Sequence, residues 1–315
     1  MNFEQALKLM KSPRDLRPVI WRGGVLQIWV TRACDMACTH CTQASHLAGK
    51  PAMMTPGQFE IACQSLRSVP PYWGVVGMFG GNPCVHPEFE HLCEIMRKYI
   101  PFDQRGLWSN NLFGQGKICR KTFNPDVSNL NVHQNQKAYE EMLEDWPLCE
   151  PKGLWEDSRH SPTLVAMQDM EDMTDEERFE LISDCDVNQR WSALIGVFRG
   201  ELRGYFCELA FTQAELHERE PDYPDYGVEI QPGWWNRGME AFKDQVRFHC
   251  FQCGHPLRGQ GDWANTGKTE QVSKTHAAIY RLKRPAGKRI QLISRRAELG
   301  EPVSAATQYL STEAP

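Results

Sequence analysis

Between residues 25 and 183, apolar runs rich in β-branched and aromatic residues alternate with helix-like segments, and this rhythm constrains the fold more than any other feature. A short helix precedes VLQIWV at 25–30, which reads as a buried strand. Thr55 and Pro56 then supply the N-cap and first position of a helix to about residue 67. WGVVGMF at 73–79 is a second strand, stopped by Gly80 and Gly81, and His86-Pro87 opens a helix to about residue 99. Further strands are expected at 105–109, 129–133 and 163–167, with a helix at 136–145. A capping box of Thr174 and Glu177 starts another helix that ends near residue 183. Strand and helix in turn are the signature of an α/β protein built from βαβ units on a parallel sheet with right-handed crossovers.

The first strand delivers VTRACDMACTHCTQ, in which Cys34, Cys38 and Cys41 are spaced Cys-x3-Cys-x2-Cys. Soft thiolates held within one short turn select iron-sulfur clusters or zinc. Three of them fit three corners of a [4Fe-4S] cube and leave its fourth iron open to a ligand, whereas electron-carrying cubes are closed by four cysteines. The alternative is zinc with His40 or His46 as fourth ligand. Zinc knuckles favour paired elements, and no second pair follows nearby.

The wording CDMACTHC resembles the CNLRCxHC motif of the radical SAM superfamily, with His40 in the aromatic slot before the last cysteine. Gly80, Gly81, Asn82 and Pro83 resemble that superfamily's GGEP segment at the end of the second strand, with Asn82 where Glu is usual. The resemblance implies a partial, six-stranded (β/α)6 TIM-like barrel of the radical SAM type, with its chemistry at the C-terminal ends of the strands. It implies a [4Fe-4S] cluster on Cys34, Cys38 and Cys41 whose open iron chelates S-adenosylmethionine (SAM). SAM is then cleaved reductively to methionine and a 5′-deoxyadenosyl radical, which takes a hydrogen atom from a substrate. By the same resemblance His40, Gly80, Gly81, Asn82 and Pro83 lie against SAM, the glycines letting the backbone approach its methionine moiety. Asn82 would accept a hydrogen bond there without bringing a charge. A low-potential electron donor such as flavodoxin or ferredoxin is implied as a partner. No general acid or base is assigned.

Cys185, Cys207, Cys250 and Cys253 form a second group, and 185–211 reads as a short hairpin with alternating apolar residues around Gly200 and Gly204. The arrangement resembles a twitch or SPASM type of C-terminal extension, which implies a second [4Fe-4S] cluster. HCFQCGHPL also resembles a zinc-ribbon knuckle, so structural zinc on the same four cysteines stays open. The expected organisation is a core barrel over 1–184, a cysteine-bearing extension over 185–290 and a flexible tail over 291–315, with loops dominating from residue 221 onward. Cys63 and Cys93 fall inside helices as core residues, and Cys84, Cys119 and Cys149 carry no signal beyond that.

With 315 residues, 41% of them hydrophobic, the chain can bury a full core, and no run approaches the roughly 18 apolar residues needed to span a membrane. The N-terminus lacks the apolar stretch of a secretory signal, so twelve cysteines at metal-like spacings point to a reducing cytoplasm rather than to disulfides. A net charge of −5 gives no global footprint of a nucleic-acid binder. The charge is uneven, however: 281–296 carries only basic charges, and 171–180 is strongly acidic. Peptides and small molecules are the first substrate classes expected. Only about two dozen residues precede the first strand, too few for a separate peptide-recognition or cobalamin domain. A nucleotide or nucleic-acid base is the alternative substrate, through the basic run and through Trp234 and Trp235 as stacking surfaces. A non-catalytic zinc- or iron-sulfur-binding module is the alternative of another class.

Overall fold

The structure, a computed structural model, describes residues 1–15, 25–47, 52–154, 161–190, 192–257, 269–283, 289–292 and 309–310. Helix α1 (Phe3–Leu9) starts on a capping box in which Asn2 accepts from the Gln5 amide and the Gln5 side chain returns to the Asn2 amide. Strand β1 (Val25–Thr31) is buried at every position, as a central strand covered on both faces must be. Helix α2 (Pro56–Ser65) begins on the Thr55 cap, with Pro56 at its first position. Then come β2 (Val75–Gly80), α3 (Phe89–Tyr99), β3 (Arg105–Ser109), α4 (Gly116–Thr122), β4 (Asn129–Leu130) and α5 (Gln136–Asp145). Helix α6 (Asp175–Ser183) opens on the expected box of Thr174 and Glu177 and is followed by the short α7 (Asp186–Arg190).

The chain then turns back on itself. Strands β5 (Ser192–Phe198) and β6 (Glu201–Tyr205) form the expected hairpin, joined by Arg199 and Gly200, both at positive φ. Left-handed conformation at both loop positions is what a two-residue hairpin turn requires. Helix α8 (Glu208–Leu216) follows at once and is buried along its whole length. The remainder holds β7 (Val228–Glu229), one turn of α9 (Lys243–Gln245), a π-helical turn over Val246–Cys250, β8 (Thr269–Val272), α10 (Lys274–Lys283), β9 (Arg289–Leu292) and β10 (Tyr309–Leu310).

Seven strands make one open sheet in the order β4-β3-β2-β1-β5-β6-β7. The first five are parallel, and β6 and β7 are antiparallel additions. The expected six consecutive parallel strands are therefore not what the described residues form: β5 pairs with the free edge of β1 instead of extending the sheet beyond β4. Two local causes are visible. Strand β4 is only two residues long: beyond it the chain makes a single parallel bridge between Asn131 and Lys152 and then turns at His133 and Gln134, both at positive φ.

Segment 163–167, expected as a strand, is a turn followed by the start of a 3-10 helix, and its backbone groups are committed elsewhere. Leu164 N–H donates to His40 Nδ1 at 3.4 Å, Leu164 O accepts from Ser273 N–H at 3.2 Å, and Ala166 N–H donates to Ser273 Oγ at 2.9 Å. No ladder partner is left for these groups.

Strands β8, β9 and β10 form a separate small sheet in which β9 pairs with both neighbours. Much of the basic run at 281–296 and of the tail at 291–315 lies outside the described residues. Among the described residues no helix is long and apolar enough to cross a membrane. Trp234 and Trp235 are core residues, at most 2% exposed, so they are not the stacking surface expected of them.

Candidate active site

Strand order reverses at β1, with β2 to β4 on one side and β5 on the other. In a parallel sheet such a switch point opens a crevice beyond the carboxyl ends of the strands. The loop after β1 carries Cys34, Cys38 and Cys41, and all three line one cavity of about 360 Å³ there, together with Gly80 and Gly81 from the end of β2. Cys38 is buried, Cys34 and Cys41 are half-buried, and none is in a disulfide. Cys41 N–H closes the loop onto Cys38 O at 3.3 Å. Cys34 Sγ lies 3.8 Å from Asn110 Oδ1 and from Asp35 Oδ1, which accepts from Asn110 Nδ2 at 2.8 Å. Burial and the neighbouring Cys41 push the Cys34 thiol up to about 12. A cation at the thiols would reverse that effect.

The glycines are explained by backbone proximity. A Cβ on Gly80 would stand 2.3 Å from Thr31 O, and one on Gly81 would stand 2.4 Å from Ala33 O. Gly81 N–H donates to Thr31 O and Asn82 N–H to Ala33 O, both at 2.7 Å, so the turn after β2 is stapled to the start of the cysteine loop. The Asn82 side chain is fully buried and turned inward. Its Oδ1 accepts from Cys84 N–H at 2.9 Å and Ser109 Oγ at 3.0 Å, while Nδ2 donates to Asn111 O at 2.9 Å. Pro83 starts the 3-10 turn that Asn82 caps. Asn82→Ala is expected to cost about 1–3 kcal/mol of stability by leaving a buried amide without its acceptor, read as a lower urea midpoint. Unchanged stability with weaker cofactor binding would assign the side chain to the ligand instead.

His40 is buried at positive φ, and its Nδ1 accepts from Leu164 N–H at 3.4 Å, so its ring orders segment 163–167. Helix α8 backs the cysteine loop. Thr212 Oγ1 donates to Thr42 O at 2.6 Å, and Glu215 Oε2 meets Arg32 Nη2 at 2.6 Å and Nε at 2.8 Å, with both side chains buried.

The second group also comes together. Cys185, Cys207, Cys250 and Cys253, spread over nearly 70 residues, line one small cavity between α1, α6 and α8 with Met10, Ile182, Phe206 and Leu209. Burial raises the Cys207 and Cys250 thiols well above their usual value, and the surrounding cysteines raise them further. Cys207 is the N-cap of α8, so one helix joins this site to the first loop. Gly254 presses on the turn at 162–165, where a Cβ would meet Pro162 O at 2.2 Å and Val165 O at 2.3 Å. Cys63, Cys84, Cys93, Cys119 and Cys149 are buried and free. Among the described residues no three Cys, His, Asp or Glu side chains are gathered at the spacing of a single metal ion.

Several residues of the first cavity went unread in the sequence: Gln27, Gln43, Trp108, Asn129, Asn131 and Glu208. A signal existed for some of them. Gln27 is the one polar residue in an otherwise apolar run, and Asn129 and Asn131 belong to an asparagine-rich stretch at an expected strand.

No protein-family model matches the chain, and no curated protein does. Among solved structures, it is similar to BtrN in complex with AdoMet and 2-DOIA, with a TM-score of 0.44 and 12% identity over 77% of this chain and 92% of that one. BtrN in an open conformation gives a TM-score of 0.40 and 12% identity over 78% and 91% of the two chains. Similarity at this level is a loose likeness of chain trace and carries no information about activity.

Proposed function

We propose that the chain is a radical SAM enzyme that acts on a small-molecule substrate at the carboxyl edge of its parallel strands. The observation that carries this reading is the convergence of Cys34, Cys38 and Cys41 with Gly80 and Gly81 on one cavity. The donor set suits a cube with one open corner, and a cationic group there would bring down the Cys34 thiol that burial and the neighbouring Cys41 raise. When bound, a [4Fe-4S] cluster with SAM supplies the electron that splits the sulfonium and the deoxyadenosyl radical that takes a hydrogen atom.

The residues have separate tasks. The three cysteines hold the cluster, the Gly80-Gly81 turn fixes their loop against β2, and α8 with Glu215 anchors Arg32 behind it. A second [4Fe-4S] cluster belongs on Cys185, Cys207, Cys250 and Cys253. A single tetrahedral ion draws thiolates at about 2.3 Å from the metal to within about 4 Å of one another. A cube instead seats each cysteine on its own iron, which suits four cysteines from separate segments that line one cavity. The electron donor is a low-potential flavodoxin or ferredoxin.

Anaerobically prepared protein is expected to contain about eight irons, against about four irons and one zinc if the second group holds zinc. With dithionite and SAM it is expected to release 5′-deoxyadenosine. Iron-replete protein that never forms deoxyadenosine, with or without candidate substrates, would make the chain an iron-sulfur binding module.

A further inference from the structure

We infer that the cavity takes a small, cyclic, hydroxyl-rich substrate that carries no phosphate or carboxylate, held by Gln27 and Gln43 against Trp108. This rests on the radical SAM reading of the same site. Gln27, on β1, is 3% exposed and Gln43, two residues after Cys41, is 2% exposed. Both line the cavity, and Gln27 Oε1 and both polar atoms of the Gln43 amide have no hydrogen-bond partner among the described residues. Leaving such groups buried and unpaired is costly, so a ligand that completes them gains both affinity and specificity.

The chemistry of that ligand follows from what is missing. Gln27 Oε1 needs a donor, and the Gln43 amide needs a donor and an acceptor. A hydroxyl supplies both roles in one group. A substrate carboxylate or phosphate only accepts, and the described lining contains no Lys or Arg to balance a charge beyond the carboxylate of SAM, which the open iron would hold. The lining's clearly charged member is Glu208, whose carboxylate stands at the first position of α8, where an anion would otherwise be drawn. The other need is an apolar face. The Trp108 ring lies along the sheet over Gly77 and Gly106, where a Cβ would come within 2.3 and 2.4 Å of it. Those glycines are register partners, and Gly77 is also the partner of Gln27. The indole is therefore laid flat beside the Gln27 amide, offering an apolar surface next to polar groups. A ring with C–H bonds on one face and hydroxyls at its rim matches both.

The test uses full-length, cluster-replete protein under anaerobic conditions. An equimolar mixture of free monosaccharides and cyclic polyols, their phosphate esters, free nucleosides and SAM is equilibrated with the protein, and retained compounds are measured by ultrafiltration and mass spectrometry. Unphosphorylated sugars or polyols are expected to be retained at least tenfold over their phosphate esters. In Gln27→Leu and in Gln43→Met, the ratio of polyol to SAM retention is expected to fall about tenfold. Iron content shows that each variant is folded. Preferential retention of phosphate esters or nucleosides, retention of none of the mixture but SAM, or a loss confined to SAM in both variants overturns the inference. Deoxyadenosine formation tested separately distinguishes the two readings. Cleavage of SAM without polyol retention removes only the substrate class. Glutamine-dependent polyol retention without cleavage removes the radical SAM reading and leaves the ligand.

Discussion

Replacing Cys34, Cys38 and Cys41 together with alanine is expected to reduce deoxyadenosine formation to background and to remove about four of about eight irons. The three cysteines are the only thiols in the described lining of their cavity, so no thiolate is left there to hold a cluster once they are gone. The fold should survive. The loop is also secured by Gly81 N–H on Thr31 O, Thr212 on Thr42 O and Arg32 on Glu215, none of which involves sulfur. The iron of the second group should remain, because its cysteines come from the link after α6, the N-cap of α8 and residues 250–253, and none of them belongs to the first loop. Iron quantitation and the cluster absorption of the triple variant check this. Retention of all the iron would show that the first group is not a cluster site.

Glu215→Ala is expected to cost about 3–5 kcal/mol of stability. Arg32 and Glu215 are 6% and 2% exposed at the side chain and meet at 2.6 Å, so removing the carboxylate strands a guanidinium in the core. Breaking such a pair costs far more than the pair contributes, since the remaining charge keeps its desolvation penalty. The double variant Arg32→Met with Glu215→Leu should recover most of the loss, because apolar residues of similar volume carry no such penalty. Urea midpoints of the single and double variants measure both effects. Arg32 lies two residues before Cys34, so the single variant should also lose iron from the first site more readily on dilution. A single variant as stable as the parent would mean that the guanidinium finds another partner or reaches water.

The elements that the sequence defined well were those whose cues are local. The caps at Thr55 and Thr174, the strand ended by Gly80 and Gly81 and the hairpin turn at Gly200 each depend on residues within one or two turns of each other. The cysteine spacing is of the same kind, because three thiols in eight residues are already close before the chain folds. The second group was grouped in the sequence only through its resemblance to a twitch or SPASM extension, and it is the tertiary structure that draws Cys185, Cys207, Cys250 and Cys253 around one cavity.

Other features were settled by competition between distant groups. Segment 163–167 has the composition of a strand, but its amides find His40 and Ser273 before they find a neighbouring strand. Strand β5 could not announce that it would take the open edge of β1, since edge choice depends on which strands are already paired. Asn82 has the right position in its motif, yet the direction of its side chain is set by Ser109 and Asn111, almost thirty residues away. Trp234 and Trp235 read as a surface for stacking until the hairpin and α2 region covered them: the Trp234 ring lies over Gly204, and Trp235 meets Tyr72 edge-on at 5.2 Å. The sequence by itself determined the periodic elements, their caps and the close spacing of Cys34, Cys38 and Cys41, because these are properties of short stretches of backbone. Only the tertiary structure decided the sheet order, the joining of the two cysteine groups through α8 and the unpaired glutamines of the cavity, because burial and hydrogen-bond pairing are properties of segments that meet only when folded.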